Sequence, residues 1–118
     1  MMDIEKIWKY CSQKNGVSES FPFNETTLVF KVVDKMFALF DVENFQSINL
    51  KCDPEKALEL REQYSGILPG YHMNKKHWNT ISINEDVSDA LIFELIDHSY
   101  TLIYKSIPKK VRDGIQIR

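Results

Sequence analysis

Between Pro69 and Ile83 the chain reads Pro-Gly-Tyr-His-Met-Asn-Lys-Lys-His-Trp-Asn-Thr-Ile-Ser-Ile, which sets Lys75, Lys76, His72 and His77 between the aromatic residues Tyr71 and Trp78. The Pro-Gly start marks a turn, so the segment is expected to form a basic hairpin or winged loop rather than core. The chemistry open to such a tip is contact with phosphate. Lys75 and Lys76 supply charge, Asn74, His77 and Asn79 add hydrogen bonds, and none of them carries much base information there. Farther along, Lys109, Lys110 and Arg112 would bring the cations to five if all lie on one side. Solvation alone also accounts for lysines at a hairpin tip. Tyr71 and Trp78 offer rings on which an unpaired base could stack, although a tryptophan opening a strand more commonly packs inside.

Other chemistries lack their residues. His72 and His77 are five apart across a turn, without the register of a helical His-x-x-x-His pair, and no cysteine or carboxylate stands beside them in the hairpin; no metal site is expected. His98 falls three after Leu95 and four before Leu102, the position of a hydrogen-bonded core or boundary histidine. Cys11 and Cys52 form no Cys-x-x-Cys and are expected to be free buried thiols. The chain has no Gly-x-Ser-x-Gly and no phosphate-cradling glycine loop, with only four glycines in all. Ser99 and Tyr100 beside His98 point in different directions on a helix and cannot relay a proton. A non-enzymatic protein without cofactor is the expectation.

The elements that would hold these residues follow from periodicity. Ile4, Ile7, Trp8 and Cys11 recur at helical spacing before Asn15-Gly16, which predicts a short amphipathic helix over residues 3–14. Phe21 and Phe23 around Pro22 suit an edge strand. Leu28, Phe30 and Val32 alternate with Val29, Lys31 and Val33, and Met36 to Phe40 follow Asp34-Lys35, giving two strands joined by a tight turn. Ser47 to Cys52 alternates again, with Ile48, Leu50 and Cys52 on one face and Asn49 and Lys51 on the other, so the meander is expected to be covered on one face only. Asp53-Pro54-Glu55 starts a helix running to about Tyr64. The hairpin comes next. Asn84 is expected to cap a long helix from Glu85 to about Lys105, striped by Val87, Ala90, Leu91, Leu95 and Leu102 and widened by Ile92, Ile96 and Ile103, before Pro108. The order α-β-β-β-β-α-β-β-α predicts an α+β two-layer sandwich, an antiparallel sheet with helices on one face.

Composition sets the bounds. A chain of 118 residues, 43% hydrophobic and 27% charged, is one ordinary globular domain over residues 1–118 that needs neither disulfide nor metal to fold. No membrane-length apolar run and no charged-then-apolar leader is visible, so a cytoplasmic, monomeric protein without a membrane partner is expected. Fifteen basic against seventeen acidic residues is a poor balance for a nucleic-acid binder. The charges are unevenly spread, however. From Asn84 to Asp97 there are five acids and no base, and from His98 to Arg118 five bases against Asp113. Part of this split complements the dipole of the long helix.

Several segments resemble, in order and spacing, those of the MmcQ/YjbR family: Phe21-Pro22-Phe23, Val29-Phe30-Lys31-Val32, Lys35-Met36-Phe37-Ala38-Leu39, Asn49-Leu50-Lys51-Cys52, the run from Pro69 to Thr80, Ser99-Tyr100 with Leu102, and Pro108 to Arg112. The resemblance covers nearly the whole chain and is most specific from Asn74 to Thr80. It implies a frataxin-like (CyaY-like) fold, also called a double-wing motif, and DNA as the partner. Asp34 stands where many relatives have glycine, in the turn before the Lys-x-Phe-Ala-Leu strand. Frataxins bind iron through an acidic first helix, whereas this one offers Asp3 and Glu5 against Lys6, Lys9 and Lys14, so iron delivery is not expected. The functional expectation is DNA binding of low sequence specificity through Asn74, Lys75, Lys76, His77, Asn79, Lys109, Lys110 and Arg112. The competing expectation is a protein- or small-molecule-interaction module using the exposed sheet face, where Val29, Lys31, Asn49 and Lys51 project, or a groove between hairpin and long helix.

Overall fold

The computed structural model describes residues 1–115; Arg118 of the basic C-terminal run lies outside them. Ten elements follow in the order α1 (Ile4–Ser12), β1 (Val17–Ser20), β2 (Thr27–Val32), β3 (Lys35–Asp41), β4 (Ser47–Lys51), α2 (Pro54–Gln63), β5 (Ile67–Pro69), β6 (Trp78–Ser82), α3 (Asp89–Ser106) and α4 (Lys109–Arg112). The strands make one antiparallel sheet in the order β1-β2-β3-β4-β6-β5. The expected α+β order holds, with the short α4 added. The edge strand is Val17–Ser20, and Phe21-Pro22-Phe23 instead forms the exposed loop after it.

Leu28, Phe30, Val32, Phe37, Ala38, Phe40, Ile48, Leu50 and Ile81 turn inward to meet Ile7 and Cys11 of α1 and the buried stripe of α3. Each large side chain removed from water here contributes roughly 1.5–3 kcal/mol. The α3 stripe is Ile92, Leu95, Ile96, Ser99 and Ile103, while Ala90 is exposed. The helix starts later than expected because Ser88, whose side chain accepts from Leu91 N at 3.1 Å, is the cap. Asn84 has φ +60 and clamps the N-terminus instead, its Oδ1 accepting from Met2 N at 2.9 Å and its Nδ2 donating to Met2 O at 3.1 Å.

A polar side chain ties α3 to the sheet. Ser99, fully buried, donates from Oγ to Phe37 O at 2.5 Å and accepts from Lys51 N at 2.9 Å. Phe37 sits where the β2–β3 register shifts by one residue, so its carbonyl is offered to a helix instead of a strand. The β2–β3 turn itself strains Val33, at φ +59, rather than Asp34.

The outer face is not bare. Val29, Leu39 and Trp78 form a second buried cluster there, with Met36 and Met73 packed against it. The expectation of a sheet covered on one face only therefore fails at the middle of β2 and β3, where Leu28–Phe30 and Phe37–Phe40 are continuous apolar runs with both faces buried.

Candidate functional site

The cover on the outer face is the Pro69–Ile83 hairpin. β5 and β6 pair as expected, but the loop between them does not project as a wing: after Gly70 it folds back over the sheet. Gly70 N donates to Trp78 O at 2.8 Å, Met73 N to Gly70 O at 3.2 Å, and Tyr71 N to Thr80 Oγ1 at 2.9 Å. A Cβ on Gly70 would lie 2.7 Å from Trp78 Cβ, so only glycine permits this reversal. Trp78 is 8% exposed, in the outer cluster rather than the main core, and is not a free stacking surface. Tyr71 is 69% exposed, with one neighbouring ring, His72, at 4.0 Å between centroids.

The second half of the loop presents the lysines. Asn74 Oδ1 accepts from Lys76 N at 2.9 Å, and Asn74 O accepts from Trp78 N at 3.0 Å, closing a turn with Lys75 and Lys76 exposed. Arg61 of α2 pins that turn from beneath, donating from Nη2 to Lys75 O and to Trp78 O and from Nε to Asn79 Oδ1 at 2.7 Å. Asn79 is thus a correction: it is 1% exposed, on the inner side of β6, and its amide oxygen belongs to Arg61. His77 is half-buried and its carbonyl accepts from Cys52 N at 2.8 Å.

Strand direction gathers other cations beside this pair. β2, β4 and β5 finish, and β1, β3 and β6 begin, at one end of the sheet. Lys31, Lys35, Lys51, Lys75 and Lys76 lie there, and α3 delivers Lys109 and Lys110 to the same end, since Lys35 Nζ donates to Ser106 Oγ at 3.2 Å in its last turn. Lys109 and Lys110 are exposed. Arg112 is half-buried, its guanidinium 5.7 Å from the centre of the Tyr104 ring. Among the described residues the ion pairs are the Met1 amine with Asp89, Lys9 with Glu5, and Lys14 with Asp97, so none of these seven lysines is neutralised by a carboxylate. Asp34, Asp53, Glu55 and Asp113 share the end, and among the described residues none of them forms an ion pair. At the opposite end stand Glu25, Asp41, Glu43, Glu85, Asp86 and Asp89. The chain's small net charge hides an end-to-end separation, and the acidic start and basic finish of α3 are its visible trace in the sequence.

His98 lies at the basic end as a boundary histidine, its Nε2 accepting from Asp53 N at 3.1 Å. Burial, helped by the Lys56 ammonium and opposed by the Asp53 carboxylate, holds its pKa below the ordinary value. Both cysteines are free and buried, and burial pushes Cys11 up to about 12 and Cys52 up to about 11, so neither is a thiolate near neutrality.

A groove of about 490 Å³ opens on the outer face, walled by Phe23 of the β1–β2 loop and by Tyr71 and His72, and floored by Leu39, Asp41 and Asn49. No α3 residue lines it, so it is not the expected hairpin–helix groove. Val29 does not project either, being covered by the loop, while Asn49 spends Oδ1 accepting from Thr80 Oγ1 at 2.5 Å. The folded-back loop that makes this groove was hidden in the sequence by a single apolar residue, Met73, within a polar stretch.

The fold and surface define a small α+β domain with a helix-backed antiparallel sheet, a basic end and a grooved outer face. The YjbR family model matches residues 12–102, and the chain belongs to that family. It is 35% identical over 112 residues to the uncharacterised protein YjbR of Escherichia coli (strain K12), covering 94% of this chain and 95% of that one. It is 41% identical over 99 residues to the uncharacterised YbdF of Escherichia coli O157:H7, covering 83% and 80%. The crystal structure of Deinococcus radiodurans DR2400 superposes with a TM-score of 0.89 at 38% identity, covering 96% of this chain and 87% of that one. A Pseudomonas syringae protein superposes with a TM-score of 0.73 at 29% identity, covering 86% and 99%. Among the described residues no helix is long and apolar enough to cross a membrane.

Proposed function

We propose that this protein binds DNA through backbone phosphates along the basic end of its sheet, with little sequence discrimination. The observation that carries the reading is the convergence of Lys31, Lys35, Lys51, Lys75, Lys76, Lys109 and Lys110, none neutralised by a carboxylate among the described residues, at one end of a chain whose net charge is −2. From β2 to β6 is three strand spacings, about 14 Å, or about four phosphates of one strand at 3.4 Å each. The pinned Lys75–Lys76 turn offers its charges without further ordering. Sequence readout is not part of the proposal, because Asn79 is committed to Arg61 and the loop lies flat against the sheet instead of entering a groove. The role proposed is non-catalytic: both thiols are buried and His98 is engaged with Asp53.

The test is fluorescence anisotropy of a labelled duplex titrated with the protein at low and at physiological salt. Binding that weakens steeply with salt is expected. Absence of binding at low salt refutes the reading.

A further inference from the structure

The outer-face groove lies toward the acidic half of the sheet, away from the lysine end, and its chemistry is different. Its lining includes one carboxylate, Asp41, and no lysine or arginine. Asp41 Oδ1 accepts from Glu43 N at 2.8 Å and Asn44 N at 2.9 Å, which fixes the carboxylate on the tight turn after β3. Oδ2 has only a long contact with Thr26 Oγ1 at 3.4 Å, so it keeps acceptor capacity for a ligand. The amides of Asn44 and Glu43 lower the Asp41 pKa and keep it ionised near neutrality. Glu25 and Glu43, both exposed in the adjoining loops, add to the negative potential. Two large rings stand exposed over this charge, Phe23 at 63% and Tyr71 at 69%. Tyr71 is positioned from the floor: Asn49 accepts from Thr80 Oγ1, which accepts from the Tyr71 amide.

An anion with a spare oxygen beneath exposed aromatic faces suits a positive charge carried on a flat apolar body. We propose that this groove binds a small aromatic amine, its ammonium on Asp41 Oδ2 and its ring against Phe23 and Tyr71. Phosphate-bearing ligands are disfavoured by the same charges. The site is therefore separate from the basic end and stands or falls without it.

The test is an NMR titration of the isotope-labelled chain with tryptamine and, separately, with its neutral isostere indole-3-ethanol. Tryptamine is expected to shift the amides of Glu43, Asn44, Tyr71 and His72 in a saturable way, and to bind about ten-fold or more tighter than the alcohol. Asp41→Asn, which retains an oxygen for the two turn amides, should bring the amine down to the level of the alcohol. Tyr71→Ala, which removes an exposed ring whose ring contact is with His72, should weaken both. Lys109→Ala with Lys110→Ala, exposed on α4 and outside the groove lining, should change neither. Equal binding of amine and alcohol, saturable shifts that map elsewhere, or no saturation at millimolar ligand each overturns the proposal.

Discussion

Replacing Lys75 and Lys76 together by alanine tests the phosphate reading at its most specific point. The turn that carries them is closed by main-chain bonds and by Arg61, so little is lost structurally; of the two side chains, only Lys75 makes a contact, a 3.3 Å hydrogen bond from Nζ to Gly70 O. Each neutralised phosphate contributes about 0.9 to the slope of log affinity against log salt, so the pair should lower that slope by about 1.8. Over a fourfold rise in salt, from about 50 to about 200 mM, the variant should then lose about twelve-fold less affinity than the parent. The assay is duplex anisotropy at four or five salt concentrations. The control is Lys6→Ala on α1, compared per charge removed, because Lys6 Nζ donates to Met1 O at 2.6 Å and the Met1 amine pairs with Asp89 at the acidic end. An unchanged slope in the first variant removes those lysines from the interface. An equal drop per charge in both variants means that bulk charge, and not this end of the sheet, governs binding.

Three further outcomes follow from the fold. Ser99→Ala leaves the Phe37 carbonyl and the Lys51 amide without their partner, at about 1–3 kcal/mol for each unsatisfied group. The melting temperature should fall by about 10 °C, and a loss of only a degree or two in calorimetry would show that the bulge finds other partners. Val33 occupies a left-handed conformation on an exposed turn, costing a β-branched residue roughly 1–2 kcal/mol. Val33→Asn should therefore raise the melting temperature, and an unchanged or lower value refutes the strain. His98 has a folded pKa below its unfolded value of about 6.5, so the folded state binds fewer protons and stability present above that value is lost as pH falls through the folded pKa. The urea midpoint should decline as pH falls below about 6.5, and His98→Gln should flatten that decline. A parallel decline in parent and variant assigns it to other groups.

Local signals determined much of this protein. Asp53-Pro54 starts α2 as read, because a carboxylate and a proline act within one turn of chain. Ile48, Leu50 and Cys52 face inward as their alternation requires, and His98 is the boundary histidine its place on the α3 stripe implies. The elements and their order were legible for the same reason: periodicity and capping are short-range properties. Boundaries shifted where two caps competed, as when Ser88 displaced Asn84 because Asn84 is held by Met2 across the fold. Tertiary structure alone decided what depends on distant residues meeting. Met73 covers Val29, Leu39 and Trp78, Arg61 withdraws Asn79 from the surface, and Ser99 fills the gap at the Phe37 bulge. The separation of charge is the clearest case. Its lysines come from separate strands, loops and a helix, and only the alternating directions of an antiparallel sheet bring them to one end.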